Sequence, residues 1–162
     1  MDSGLIEQAG AALRARGWTV CTAESCTGGL IAASLTEVAG SSDYMLGGVV
    51  AYANEIKQAL LGVREATLRQ FGAVSTETAA EMAVGAQQRF GADLAVSVTG
   101  IAGPGGGTAE KPVGLTYIGL AGRDGLIAVE RHLWPGSRHD VREASATRAL
   151  EMILQAVNEA QS

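Results

Sequence analysis

Two mostly apolar runs that empty into glycine-rich turns constrain this chain more than any other feature. WTVCTA (18–23) leads into Glu24-Ser25-Cys26-Thr27-Gly28-Gly29, and LAVSVTG (94–100) leads into Ile101-Ala102-Gly103-Pro104-Gly105-Gly106-Gly107. Short apolar runs bounded by glycine read as buried strands. Glycine after such a strand lets the backbone approach a ligand closely, and open α/β sheets bind ligands outside the carboxyl ends of their strands. The first turn opens a helical segment, whose N–H groups favour an anion. Neither turn is a Walker A loop or a dinucleotide fingerprint, since no Gly-Lys-Ser/Thr follows the first and a proline interrupts the second. Glu24, Ser25, Thr27, Gly28 and Gly29, with Thr99, Gly100 and Gly103, are therefore candidate contacts for a phosphate-bearing or otherwise anionic ligand. The competing reading is a capped helix start and a surface loop.

The remaining segments alternate helical and strand patterns. Leu5, Ile6, Ala9 and Leu13 recur at helical spacing over 5–16, and Gly17 stops that helix. A helix follows over 28–38. YMLGGVVAY (44–52) reads as a strand in which Gly47 and Gly48 mark a bulge or a close backbone approach. Short helices are expected over 54–62 and 64–72. A longer one, capped by Ser75 or Thr76, presents Ala79, Met82, Ala83, Ala86 and Phe90 on one face. Strands over 113–121 and 126–134 flank Arg123-Asp124-Gly125, a hairpin signal. The last helix, about 140–159, is amphipathic through Ala146, Leu150, Ile153, Leu154 and Val157. This order predicts one domain over 1–162, a three-layer α/β/α sandwich. Its sheet is mixed but mostly parallel, because the hairpin adds at least one antiparallel strand.

Charge and cysteine usage exclude several classes of function. With 12 Lys+Arg against 17 Asp+Glu and a net charge of −5, the chain lacks the basic patch of a nucleic-acid binder. No apolar run reaches the ~18 residues of a spanning helix, so no membrane partner is expected. The first residues carry no secretory signal, and a cytoplasmic location is the default. Cys21 and Cys26 form neither a disulfide framework nor a zinc set. No His/Cys/Asp/Glu cluster has metal-ligand spacing, so no metal and no organic cofactor is expected. The expected partner is a small molecule. The oligomeric state stays open, a homo-oligomer included.

Of the twelve cations only Lys57 and Lys111 are lysines. In a chain that prefers arginine, a lysine can mark a place where the group must lose its proton, which a guanidinium effectively cannot do. Tyr52-Ala53-Asn54-Glu55-Ile56-Lys57 ends a strand and starts a helix, which suits Tyr52 and Lys57 as acid and base, with Asn54 either a substrate contact or a helix cap. Gly40-Ser41-Ser42-Asp43 precedes the same strand and could hold a nucleophilic serine near Lys57; the alternative is a helix-ending turn. Gly136-Ser137-Arg138-His139-Asp140, with Arg142, offers an arginine clamp for a phosphate or carboxylate; the alternative is N-capping by Ser137 or Asp140. Cys26 at a helix start is a second possible nucleophile, although no histidine is close in sequence.

TAESCTGGLIAASLTEVAGSSDYMLGGVVAYANEIKQALLGV, GAVSTETAAEMA and VSVTGIAGPGGGTAEKPVG together resemble the CinA C-terminal domain family, in the family's order and over nearly the whole chain. The resemblance implies a three-layer α/β/α domain and an amidohydrolase that converts nicotinamide mononucleotide and water to nicotinate mononucleotide and ammonia, a pyridine-nucleotide salvage step. It further implies catalytic Ser, Tyr and Lys residues at Ser42, Tyr52 and Lys57. It also implicates a hydroxyl residue at Thr99 and an arginine at Arg138 or Arg142. Two other readings stay open: a nucleotide-binding or regulatory module without turnover, and a thiol amidohydrolase using Cys26.

Overall fold

The computed structural model describes residues 2–160. The chain forms α1 (Ser3–Arg16), β1 (Val20–Glu24), α2 (Leu30–Glu37), a 3-10 turn (Ser41–Asp43) and β2 (Met45–Val50). Next come α3 (Asn54–Leu61), α4 (Glu65–Phe71), α5 (Thr76–Phe90) and β3 (Leu94–Gly100). The chain ends with β4 (Leu115–Gly122), β5 (Gly125–Leu133) and α6 (Arg138–Glu159). Local chemistry sets the boundaries. The Asp2 carboxylate accepts the Gly4 N–H and opens α1, and Gly17, at φ 63°, closes it. Ser75 caps α5. Ser137 and Asp140 form a reciprocal capping box at the start of α6.

The five strands lie in the order β2-β1-β3-β4-β5. β1 pairs in parallel with both β2 and β3, while β4 is antiparallel to both β3 and β5. Four strands therefore point one way and β4 alone is reversed, the mixed sheet expected from the hairpin. Helices α1, α2 and α6 pack together on one face, and α5, with α3 and α4 against it, covers the other. Ile31, Leu35, Val96, Ile118, Leu150 and Ile153 belong to the larger apolar cluster, and Cys21, Ala23, Met82, Ala86 and Ala95 to the smaller. Close packing in the second layer depends on Gly85, where a Cβ would overlap the Leu61 carbonyl. The register shift between β1 and β2 falls at Val20/Cys21, next to Gly47. A Cβ on Gly47 would lie 2.9 Å from the Phe90 ring.

This topology places a crevice. From the carboxyl end of β1 the chain turns toward β2 through α2, and from that of the adjacent β3 it turns toward β4. Connections that diverge from neighbouring strands leave a gap outside their ends, where open α/β sheets bind ligands. Both glycine-rich turns rim that gap. No described helix is long and apolar enough to cross a membrane.

Candidate active site

Lys57 is the centre of the site. It lies in the first turns of α3 and is only 1% exposed. Its Nζ is 2.9 Å from the Ala51 carbonyl oxygen, 3.0 Å from that of Tyr52 and 3.1 Å from Ser25 Oγ. All three partners are neutral, and burial lowers the pKa of the amine. A neutral amine has two N–H bonds and one lone pair. If the N–H bonds go to the two carbonyls, the lone pair faces the Ser25 hydroxyl, which is the geometry a general base requires.

Ser25 is the first residue beyond β1. Its N–H donates to Val98 O at 2.9 Å, so its backbone prolongs the β1–β3 pairing and is held firmly. The Ser25–Lys57 pair opens into a cavity of about 250 Å³ lined also by Cys26, Tyr52, Thr99, Gly100, Gly103 and Arg138. Four other open grooves among the described residues are larger, from about 290 to about 630 Å³, but none holds a nucleophile beside a buried lysine. Thr99 donates its hydroxyl to Ala73 O at 2.7 Å. At the mouth, Arg138 donates to Gly103 O (2.9 Å) and to the hydroxyl of the exposed Tyr52 (3.3 Å). These two partners of Arg138 are uncharged, so its charge remains available to an anion.

Several sequence expectations need correction. Ser42 lies in the 3-10 turn before β2, whereas Tyr52 and Lys57 follow the other end of that strand. Six extended residues separate the two ends by ~20 Å, so Ser42 does not reach Lys57. Glu24 is not a ligand contact: its buried carboxylate accepts the N–H groups of Gly29 (3.0 Å), Ile31 (3.1 Å) and Ala32 (2.9 Å). The protein's own anion thus fills the start of α2, and the turn through Gly28 and Gly29 is no phosphate cradle. Thr27 is fully buried and its Oγ1 has no hydrogen-bond partner. Asn54 is exposed and Ala53, not Asn54, occupies the cap position of α3. Of the two arginines, Arg138 lines the cavity, while Arg142 donates to the carbonyls of Cys26 (3.1 Å) and Thr27 (2.9 Å).

The serine beside Lys57 is Ser25, a binding candidate in the glycine-rich turn after β1, and not Ser42. The signal was available: Ser25 follows β1 as Tyr52 follows β2, and parallel neighbours bring their carboxyl ends to one sheet edge. Cys26 also lines the cavity, but burial pushes its thiol up to about 11, so it is held as the un-ionised form. His132 bonds Glu130 and stacks on Trp134, away from the cavity. Among the described residues no group of three or more His, Cys, Asp or Glu side chains could hold a metal ion.

Residues 2–157 match the family model of the CinA C-terminal domain, and the chain belongs to that family. Among its relatives is nicotinamide-nucleotide amidohydrolase PncC of Enterobacter agglomerans, 51% identical over 150 residues, which span 93% of this chain and 92% of the relative. A CinA-like protein of Mycolicibacterium gilvum is 52% identical over 157 residues, 97% of this chain but 37% of that protein, so the chain spans about a third of such longer relatives. The crystal structure of competence/damage inducible protein CihA from Agrobacterium tumefaciens superposes with a TM-score of 0.89 at 48% identity, covering 96% of this chain and 94% of the other. A CinA superfamily protein of Klebsiella pneumoniae superposes with a TM-score of 0.93 at 32% identity, covering 98% and 99%.

Proposed function

We propose that this chain is a nicotinamide-nucleotide amidohydrolase that converts nicotinamide mononucleotide and water to nicotinate mononucleotide and ammonia, using Ser25 as nucleophile and Lys57 as base. The buried Lys57 amine, held by two carbonyls and turned toward Ser25 Oγ, carries this reading. The named activity of the Enterobacter agglomerans relative supports the substrate.

Ser25 Oγ attacks the carboxamide carbon as its proton passes to Lys57 Nζ. The tetrahedral adduct collapses, the C–N bond breaks, and Lys57 returns the proton to the leaving nitrogen, which departs as ammonia. Water then attacks the ester carbon as Lys57 takes its proton; the C–Oγ bond breaks, Lys57 returns that proton to Ser25 Oγ, and the acid leaves, ionising in solvent to the carboxylate. Arg138 and the 100–106 loop bind the 5′-phosphate at the mouth, and Tyr52 orients Arg138. The reaction would return nicotinamide nucleotide to pyridine-nucleotide salvage, and it requires no metal or organic cofactor.

Ammonia release measured across pyridine compounds tests the reading. Nicotinamide mononucleotide should be turned over, with nicotinamide riboside a poor substrate. Full activity on the riboside would remove the phosphate site. Loss of activity to a chelator, restored by one divalent ion, would remove the metal-free mechanism.

A further inference from the structure

Lys111, the other lysine of the chain, takes no part in the chemistry above and lies outside the cavity lining. It closes the glycine-rich loop that follows β3. The loop leaves the sheet at Ile101, whose N–H donates to Leu115 O at 2.9 Å. It returns at Gly114, whose N–H donates to Ile101 O at 2.8 Å. Ile101, Ala102, Gly103, Gly105 and Gly106 line the cavity, while the chain from 104 to 110 is exposed. A segment this rich in glycine has little stiffness of its own.

Two cations tie the loop to its neighbours. Arg138 of α6 donates to Gly103 O at 2.9 Å. The Lys111 ammonium donates to the carbonyl of Phe71, the last residue of α4. A carbonyl at a helix end has no partner within the helix, and a lysine suits it. Gly72, at φ 80°, makes room, since a Cβ there would lie 2.9 Å from Lys111 Nζ. A reciprocal turn stiffens the lysine's own backbone: Thr108 N–H donates to Lys111 O (2.8 Å) and Lys111 N–H to Thr108 Oγ1 (2.9 Å). The receiving segment is fixed as well. Gly72 O accepts from Ser75 Oγ (2.9 Å) and Thr78 Oγ1 (2.7 Å), and Ala73 O from Thr99 Oγ1 (2.7 Å). Ala73 and Val74 also line the cavity, so Lys111 joins two stretches of its wall from outside.

We propose that Lys111 is a positioning residue: its ammonium pins the glycine loop to the end of α4, so that substrate meets residues 101–106 as a preformed wall of the site. This rests on the amidohydrolase reading above. A loop already held need not be ordered by the ligand, so the tether acts on affinity. Ser25 and Lys57 stand on other elements and make no bond to Lys111, so its loss raises KM and spares kcat.

The test combines steady-state hydrolysis of nicotinamide mononucleotide with backbone NMR order parameters of the ligand-free protein, for wild type and Lys111→Met, and thermal melts of both. Lys111→Met should raise KM by about tenfold, the scale of ordering a short segment on binding, with kcat within about twofold. The order parameters of Gly105 and Gly106 should fall in the free variant. A raised KM with unchanged order parameters would make Lys111 a substrate contact and overturn the proposal. So would an unchanged KM, a loss confined to kcat, or changes explained by the unfolded fraction in the melts. If Lys111→Met does not fold, Lys111→Gln, whose side chain is shorter and uncharged, decides by the same two readouts. If wild type releases no ammonia, the proposed function falls, and the order parameters alone decide the tether: a fall supports it and no change overturns it.

Discussion

Lys57 illustrates how one residue's burial becomes chemistry. Its side chain would be costly to bury charged, and among the described residues no carboxylate pairs with it; desolvation moves it toward the neutral amine that a base must be. Activity should therefore rise with pH as Lys57 deprotonates, with the limb of a kcat/KM profile centred below the ordinary lysine range. A limb centred at an ordinary lysine value would contradict this. Lys57→Arg keeps the charge and cannot supply a base, so kcat should fall by about 10²–10⁴-fold, the usual contribution of a general base; retention of most activity would make Lys57 a mere charge. Cys26→Ala should keep substantial turnover, since its thiol is held protonated near 11. Ser42→Ala should do the same, because β2 lies between Ser42 and the site.

At the scale of elements, the start of α2 decides how the site is built. An isolated helix start attracts anions, and the sequence Glu24-Ser25-Cys26-Thr27-Gly28-Gly29 contains both such a start and the carboxylate that fills it. Glu24→Ala would leave three N–H groups without their acceptor. It should destabilise the fold by about 2–4 kcal/mol in urea titration, in the range of a broken buried polar network. A loss under about 0.5 kcal/mol, typical of a neutral surface change, would show that water replaces the carboxylate. Thr27→Val removes a buried hydroxyl that has no partner and keeps its shape, so stability should hold or rise by about 1 kcal/mol. A clear loss would mean that the hydroxyl is satisfied in solution.

Across the whole molecule, β5 and α6 are joined by Arg148, which donates to both Glu130 oxygens at 2.8 Å and to Glu151 at 2.7 Å. The Arg148 hydrogen bonds, more than any other cause, hold the Glu130 carboxyl down to about 2. A depressed carboxylate stabilises the fold above its unfolded pKa and loses that contribution as pH falls through the folded one. Stability should therefore decline between about pH 4.5 and pH 2, and Glu130→Gln should flatten that limb in denaturant midpoints taken across it. An unaltered acid limb in Glu130→Gln would assign the loss to other groups.

The layers and the mixed sheet follow from features legible along the chain: helical periodicity in α1, α5 and α6, apolar runs at β1 and β3, and the Asp124-Gly125 hairpin; the order β2-β1-β3-β4-β5 does not. The site was legible as Tyr52, Lys57, Thr99 and a glycine loop, but its serine was not. Along the chain Ser42 is nearer to Lys57 than Ser25 is, and only the parallel pairing of β1 with β2 brings Ser25 to the end of the sheet where Lys57 lies. The internal partners of Glu24 and Arg142, N–H groups and carbonyls of one turn, were not legible because they come together only once α2 and α6 have packed.

The most direct test is ammonia release from nicotinamide mononucleotide by a folded Ser25→Ala variant. A Ser25 nucleophile predicts a fall in kcat of at least about 10²–10⁴-fold, no smaller than the loss of its base, with the melting temperature close to that of wild type. Near-wild-type kcat in that folded variant would contradict it and return the chemistry to Cys26 or to direct attack by water.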